Sequence, residues 1–152
     1  MPTGVESPGL IFKMKKIFYT WKEFDNDIKY ISKLILKDKD IKCVIGIPRG
    51  GLIPAVTLAH LLEIPFFLNL EDAYNEFEQN EILIVDDIAD SGNTFSNIKL
   101  INNYKTVSLF VKEKTKFVPT YYSKICEKKL WIIFPWEKNN SKTKRDGTYG
   151  NE

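Results

Sequence analysis

The stretch ILIVDDIADSGNTF, residues 82–95, runs four aliphatic residues into two adjacent carboxylates, Asp86 and Asp87. A third acid, Asp90, precedes a short polar loop of Ser91, Gly92, Asn93 and Thr94. The aliphatic run reads as a strand buried on both faces, and FSNIKLINNY after it reads as a helix. Backbone N–H groups in such a strand-to-helix loop, with the positive end of the helix behind them, form a seat for a phosphate monoester. Gly92 lets the backbone approach closely, while Ser91 and Thr94 add hydroxyl donors. Negative charge repels phosphate, so the acids need a different partner. A vicinal carboxylate pair can hold two neighbouring hydroxyls, or meet Mg²⁺ through water. Ribose offers such hydroxyls, and a phosphate on its 5 position would reach the loop. The stretch therefore reads as a ribose 5-phosphate cradle.

Around it, strands and helices alternate. WKEFDNDIKYISKLIL places Trp21, Phe24, Ile28, Ile31 and Ile35 on one helical face. IKCVIGI, residues 41–47, is a β-branched run ending at Pro48 and reads as a buried strand. LIPAVTLAHLL, with Pro54 near its first turn, reads as a helix. IPFFLNL, residues 82–85, TVSLFV and LWIIF supply further strands. Apolar strands alternating with amphipathic helices predict a single α/β domain built on a parallel sheet covered on both faces. In such sheets ligands bind at the carboxyl ends of the strands, where this chain keeps its unusual residues: Arg49, Gly50 and Gly51 after one strand, the acids after a second, Lys112 after a third, Pro135 and Trp136 after a fourth.

Composition narrows the chemistry. Of the 152 residues, 43% are hydrophobic and 28% charged, the balance of an ordinary globular domain. A formal net charge of +2 argues against a general nucleic-acid binder. Two cysteines, Cys43 and Cys126, form no C-x-x-C pair and no disulfide scaffold, which suits a reducing cytosol. No apolar run approaches the roughly 18 residues of a spanning helix, so no membrane partner is expected. The one histidine, His60, has no partner motif, which removes Ser-His-Asp and multi-histidine metal chemistry. Residues 1–14 read as an extension, 15–138 as the domain and 139–152 as a polar tail.

IPRGG, residues 47–51, is a second anion site: two glycines expose amides after a strand, and Arg49 adds a fixed charge suited to pyrophosphate oxygens. Neither a Walker loop nor a G-x-G-x-x-G after a strand occurs. Alone, an R-G-G turn is equally a plain strand-to-helix connection; beside the acid loop it gains meaning.

ILIVDDIADSGNTF resembles the signature of type I phosphoribosyltransferases. YTWKEF, VIGIPRGGLIPA, SLFVK and LWIIFPWE appear in the order seen in bacterial xanthine-guanine and related purine phosphoribosyltransferases, covering residues 17–138. The resemblance implies a Rossmann-like parallel-sheet core with a reduced hood and flexible loop, and transfer of phosphoribose from phosphoribosyl pyrophosphate to a purine. It implies that Asp86 and Asp87 hold the ribose hydroxyls and the Mg²⁺ shell, mainly through water, and that Asp90 sits near N7 of the base as the catalytic group. Ser91, Gly92, Asn93 and Thr94 would bind the 5-phosphate, and Arg49, Gly50 and Gly51 the pyrophosphate, with a strained or cis Pro48–Arg49 peptide. Lys112 would reach the 6-oxygen, Trp131 would stack on the ring, and the Ile132 backbone would meet its 2-position edge. A lysine selects a carbonyl over an amino group, which favours guanine, xanthine or hypoxanthine over adenine. Plainer roles stand beside these: a core aromatic for Trp131 and a solvated strand-end charge for Lys112. Members of the family commonly pair or form tetramers, so a cytoplasmic homo-oligomer is expected.

One feature departs from the family pattern. The lid that closes over the site commonly brings basic residues to pyrophosphate, yet NLEDAYNEFEQNE, residues 69–81, is short, acidic and without Lys or Arg. An acidic lid beside pyrophosphate is electrostatically wrong. Two readings follow: an enzyme closed by other means, or a non-catalytic regulator that senses phosphoribosyl pyrophosphate or a nucleotide in the same pocket.

Overall fold

The structure, a computed structural model, describes residues 15–90 and 104–137. The expected phosphate loop (Ser91, Gly92, Asn93, Thr94), most of the helix after it, the N-terminal extension and the polar tail lie outside the described residues. The chain opens with strand β1 (Lys15–Phe18) and helix α1 (Trp21–Ile35). Helix α1 starts where Thr20 and Glu23 form a reciprocal capping box, each satisfying an N–H that the first turn leaves open. Phe24, Ile28, Ile31 and Ile35 then fall on the buried face at three- and four-residue steps. Trp21 stays over half exposed and lays its ring against Phe24 and Trp136 at 5.8 and 5.9 Å.

Strand β2 (Cys43–Gly46), shorter than the 41–47 run, leads into α2 (Leu52–Leu62), whose bounds match the sequence reading, and β3 is only Phe66–Phe67. After α3 (Leu70–Tyr74) and one 3₁₀ turn (Gln79–Glu81) come β4 (Ile82–Ala89), β5 (Lys105–Lys112), β6 (Tyr121–Cys126) and β7 (Leu130–Ile133). The main sheet is parallel throughout, in the order β3-β2-β4-β5-β6, with β4 buried along its whole length. One face packs on α1 and α2 through Ile28, Ile31, Leu58, Leu83 and Val107. The other packs Cys43, Ile82 and Ile84 with Ala73, Phe77 and Tyr104.

Four expectations change. LWIIF does not join the main sheet: β7 pairs in parallel with β1 in a separate two-stranded sheet, Lys16 opposite Trp131. The edge beside β5 is taken instead by β6, whose YYSKIC gives no clean alternation because an edge strand has less to bury. Strand β4 extends past Val85, so Asp86 and Asp87 lie within it rather than in a loop.

The acidic segment is also not an open lid. Asn69 caps α3 by accepting the Asp72 N–H at 2.8 Å, Ala73 is buried, and Phe77 meets the Phe67 ring at 6.1 Å. The segment leaves the carboxyl end of β3 and returns to the amino end of the sheet, where Lys42 N–H donates to the Glu81 carbonyl at 2.8 Å. Its last acids therefore stand at the pole of the sheet opposite the strand ends that carry the site.

Candidate active site

Strands β4 and β5 end together, Ala89 beside Val111, whereas β2 stops earlier, Gly46 beside Val85. The pairing of β2 with β4 stops at Val85, and the next backbone bond, Ile47 N–H to the Val85 carbonyl at 2.8 Å, turns the chain over the end of β4. Gly51 N–H donates back to the Ile47 carbonyl at 2.8 Å, and α2 starts at once. Within this turn the Pro48–Arg49 peptide is cis, as the resemblance implied, and Arg49 is exposed. Gly51 is buried so tightly that a Cβ would lie 2.8 Å from both the Ile47 nitrogen and oxygen. Gly50 faces the acids: a Cβ there would lie 2.5 Å from Asp87 Cγ and overlap its carboxylate. The R-G-G turn and the acid pair, separate in the sequence, thus touch at Gly50 and Asp87.

Asp86 and Asp87 are 1% and 3% exposed. Strand side chains normally alternate between faces, and β4 obeys this from Ile82 to Val85. By Ile88 and Ala89 the alternation has reversed, with Ile88 in the core cluster of Leu83 and Val85, and Ala89 in that of Ile82 and Ile84. The same reversal occurs on β5 between Leu109 and Phe110. At this step side chains serve the backbone: Asp86 Oδ1 accepts the Asp87 N–H at 2.8 Å, and Ser108 Oγ, opposite Asp86, donates to the Phe110 carbonyl at 2.8 Å. Ser108 was not singled out from the sequence, because a serine in an apolar run carries no signal of its neighbour across the sheet.

Asp90 follows β4 in an exposed bend. Lys112 closes β5 and is 3% exposed, which overturns the solvated strand-end reading. Its ammonium donates to the Lys128 carbonyl at 2.9 Å and to the Leu130 carbonyl. Trp131, half-buried, and Ile132, fully buried, come next on β7. Lys112 is thereby tied to the backbone immediately before Trp131. Cys43 is buried away from these residues, and burial, with the charges of Glu81 and Glu76, pushes its thiol up to about 12, which leaves it a core residue and no nucleophile.

Among the described residues no group of three or more His, Cys, Asp or Glu side chains converges as a metal cage. The adjacent carboxylates Asp86 and Asp87, one seated against the Gly50 backbone, fit the way Mg²⁺ is usually held, by one or two carboxylates with water and substrate phosphates completing the shell. No helix among these residues is long and apolar enough to cross a membrane.

No family model matches the chain. A xanthine-guanine phosphoribosyltransferase of Nitratidesulfovibrio vulgaris is 27% identical over 143 residues, spanning 82% of this chain and 87% of that protein. The crystal structure of a purine phosphoribosyltransferase from Pyrococcus horikoshii superimposes with a TM-score of 0.67 at 30% identity, covering 82% of this chain and 96% of that one. The xanthine-guanine-hypoxanthine phosphoribosyltransferase of Helicobacter pylori shares the fold, with a TM-score of 0.65 at 22% identity over 80% of this chain and 92% of that one. With 30% identity across nearly all of the Pyrococcus enzyme and a shared fold, the chain belongs to the type I phosphoribosyltransferase family and is an enzyme of its purine phosphoribosyltransferase group.

Proposed function

We propose that the protein transfers phosphoribose from phosphoribosyl pyrophosphate to a 6-oxopurine, giving the nucleoside 5-monophosphate and pyrophosphate. The observation that carries this reading is the packing of Gly50 on the Asp87 carboxylate, which joins a pyrophosphate-type turn to a ribose-type acid pair at the carboxyl end of the central strand. In the reaction the C1–O bond to pyrophosphate breaks and pyrophosphate leaves with the electron pair. A ring nitrogen of the base bonds to C1, and the base gives up a proton. Positive charge builds on the ribose, and Asp86 and Asp87, nearly out of solvent, are suited to hold its hydroxyls and to face that charge. Mg²⁺, held by the same pair mainly through water, would supply charge neutralisation for the leaving pyrophosphate.

Arg49 and the Gly50 backbone would bind pyrophosphate, with Gly51, whose N–H is taken by the Ile47 carbonyl, closing the turn that presents them, and Ser91, Gly92, Asn93 and Thr94 would bind the 5-phosphate. Asp90 is assigned to the N7 side of the base as proton acceptor or hydrogen-bond partner. Lys112, Trp131 and Ile132 form the base end, where an aromatic face suits a planar ring and a lysine suits a 6-oxygen. The last acids of the segment return to the far pole of the sheet, clear of the pyrophosphate turn, while Glu71 and Asp72 lie in the first turn of α3 just after β3. The same reading carries a cytoplasmic homo-oligomer, a dimer or a tetramer, which light scattering on the purified protein would test.

Incubation with Mg²⁺, phosphoribosyl pyrophosphate and each of hypoxanthine, guanine, xanthine, adenine, orotate and uracil tests the base assignment. Nucleotide is expected with at least one of the first three and with none of the others. A product with adenine or a pyrimidine alone would overturn the 6-oxopurine assignment.

A further inference from the structure

We propose that Lys112 is a positioning residue for the base platform: its ammonium clasps the turn between β6 and β7 and so fixes where Trp131 stands. The inference rests on the reading of Trp131 as the surface on which the purine stacks.

Three observations place the clasp. Lys112 is the last residue of β5, in the five-stranded sheet, whereas Trp131 lies on β7, whose only strand partner among the described residues is β1. The Lys112 side chain crosses between the two sheets, donating to the Lys128 carbonyl at 2.9 Å and to the Leu130 carbonyl, directly before Trp131. The turn it grips is also closed by a backbone bond, Leu130 N–H to the Glu127 carbonyl at 3.1 Å, while Glu113 N–H fixes the end of β6 through the Cys126 carbonyl at 2.9 Å. A charged head group that is 3% exposed must end on acceptors to offset its lost hydration, and two of its acceptors are main-chain carbonyls that cannot move without moving the strand behind them.

This has a consequence for recognition. Contact with a 6-oxygen alone would make Lys112 matter only to bases that carry one. A clasp that sets the plane of Trp131 makes it matter to every purine, because stacking contacts weaken steeply over fractions of an ångström.

The test compares two nucleotides, inosine 5-monophosphate and purine riboside 5-monophosphate, which differ by the 6-oxygen. Their binding to full-length wild type, Lys112→Met and Lys112→Arg is measured by calorimetry, with amide hydrogen exchange recorded across residues 127–133. In Lys112→Met both nucleotides are expected to weaken on the order of tenfold, and exchange at Trp131 and Ile132 to accelerate. Lys112→Arg, which returns donors to the turn, should recover part of both effects. Unweakened binding of the purine riboside nucleotide to Lys112→Met would overturn the proposal, as would unchanged exchange at Trp131 and Ile132. If circular dichroism shows that the Met variant has lost the fold, Lys112→Gln, with one amide donor, takes its place under the same criteria. Wild type that binds neither nucleotide would refute the base site itself, while the exchange data would still decide whether Lys112 holds the turn.

Discussion

At Gly50 a single methyl group would occupy the space that the Asp87 carboxylate holds. That carboxylate is the far end of a short side chain and can rotate away, so Gly50→Ala should leave the melting temperature within about 4 °C of wild type. The displaced acid would no longer meet the ribose, and turnover should fall on the order of 100-fold, the scale of an ångström misplacement in a reacting site. Unchanged turnover would separate Gly50 and Asp87 from the chemistry. Asp90→Asn should likewise lower kcat by about 100-fold while leaving the affinity for phosphoribosyl pyrophosphate near wild type, since it removes a proton acceptor and keeps the shape. Unaltered kcat would remove Asp90 from the mechanism. The types of these residues were legible in the sequence, because adjacent acids before a glycine-and-hydroxyl loop answer to few chemistries. Their contacts were not. Gly50 and Asp87 are far apart in the chain, and Lys112 meets carbonyls in a turn that no local pattern announces.

Among elements, the amino ends of the sheet are pinned by a small charged network. Lys105, which opens β5, donates to Asp38 Oδ2 at 2.8 Å, and the Tyr121 hydroxyl, at the start of β6, donates to the same oxygen at 3.1 Å. Burial works to raise the Asp38 carboxyl, but the hydrogen bonds from Lys105, the Asp40 N–H and Tyr121, with the Lys105 charge, outweigh it and hold the group below its ordinary 3.8. Its contribution to stability is therefore complete above pH 3.8 and fades as pH falls through the lower, folded-state value. Lys105 is raised above 10.5, chiefly by its bond to Asp38, so its share is complete below that pH and is lost as pH rises through the folded-state value. Asp38→Asn should cost about 1 kcal/mol between these limits. Denaturant titrations along the pH axis should show that gap narrowing in acid; a gap independent of pH would contradict the assignment.

Element boundaries followed the same logic of what the sequence can encode. Helix α2 was read residue for residue, since Pro54 fixes its first turn and glycines precede it. Strand β7 was recognised as a strand but assigned to the wrong sheet, because a continuous apolar run looks the same wherever it is buried. Helix α3, at five residues, is too short for periodicity to reveal.

Across the whole molecule, the main parallel sheet gathers Arg49, Gly50, Gly51, the acids and Lys112 at its carboxyl pole, and Lys112 links them to Trp131 and Ile132 on β7, while the Asp38 network and the end of the acidic segment occupy the other pole. This polarity follows from parallel topology, in which all strands end on the same side, and it was legible from the alternation of strands and helices alone. What the sequence concealed was the course of residues 69–81: their charge suggested a hostile lid, whereas Ala73 and Phe77 anchor them to the sheet. Phosphorus NMR of the protein with Mg²⁺, phosphoribosyl pyrophosphate and hypoxanthine follows phosphoribosyl transfer directly. The substrate's diphosphate signals should disappear, with equal appearance of free pyrophosphate and a nucleotide 5-phosphate. Substrate signals that persist with hypoxanthine, and equally with guanine and xanthine, while line broadening shows phosphoribosyl pyrophosphate bound, would contradict that transfer.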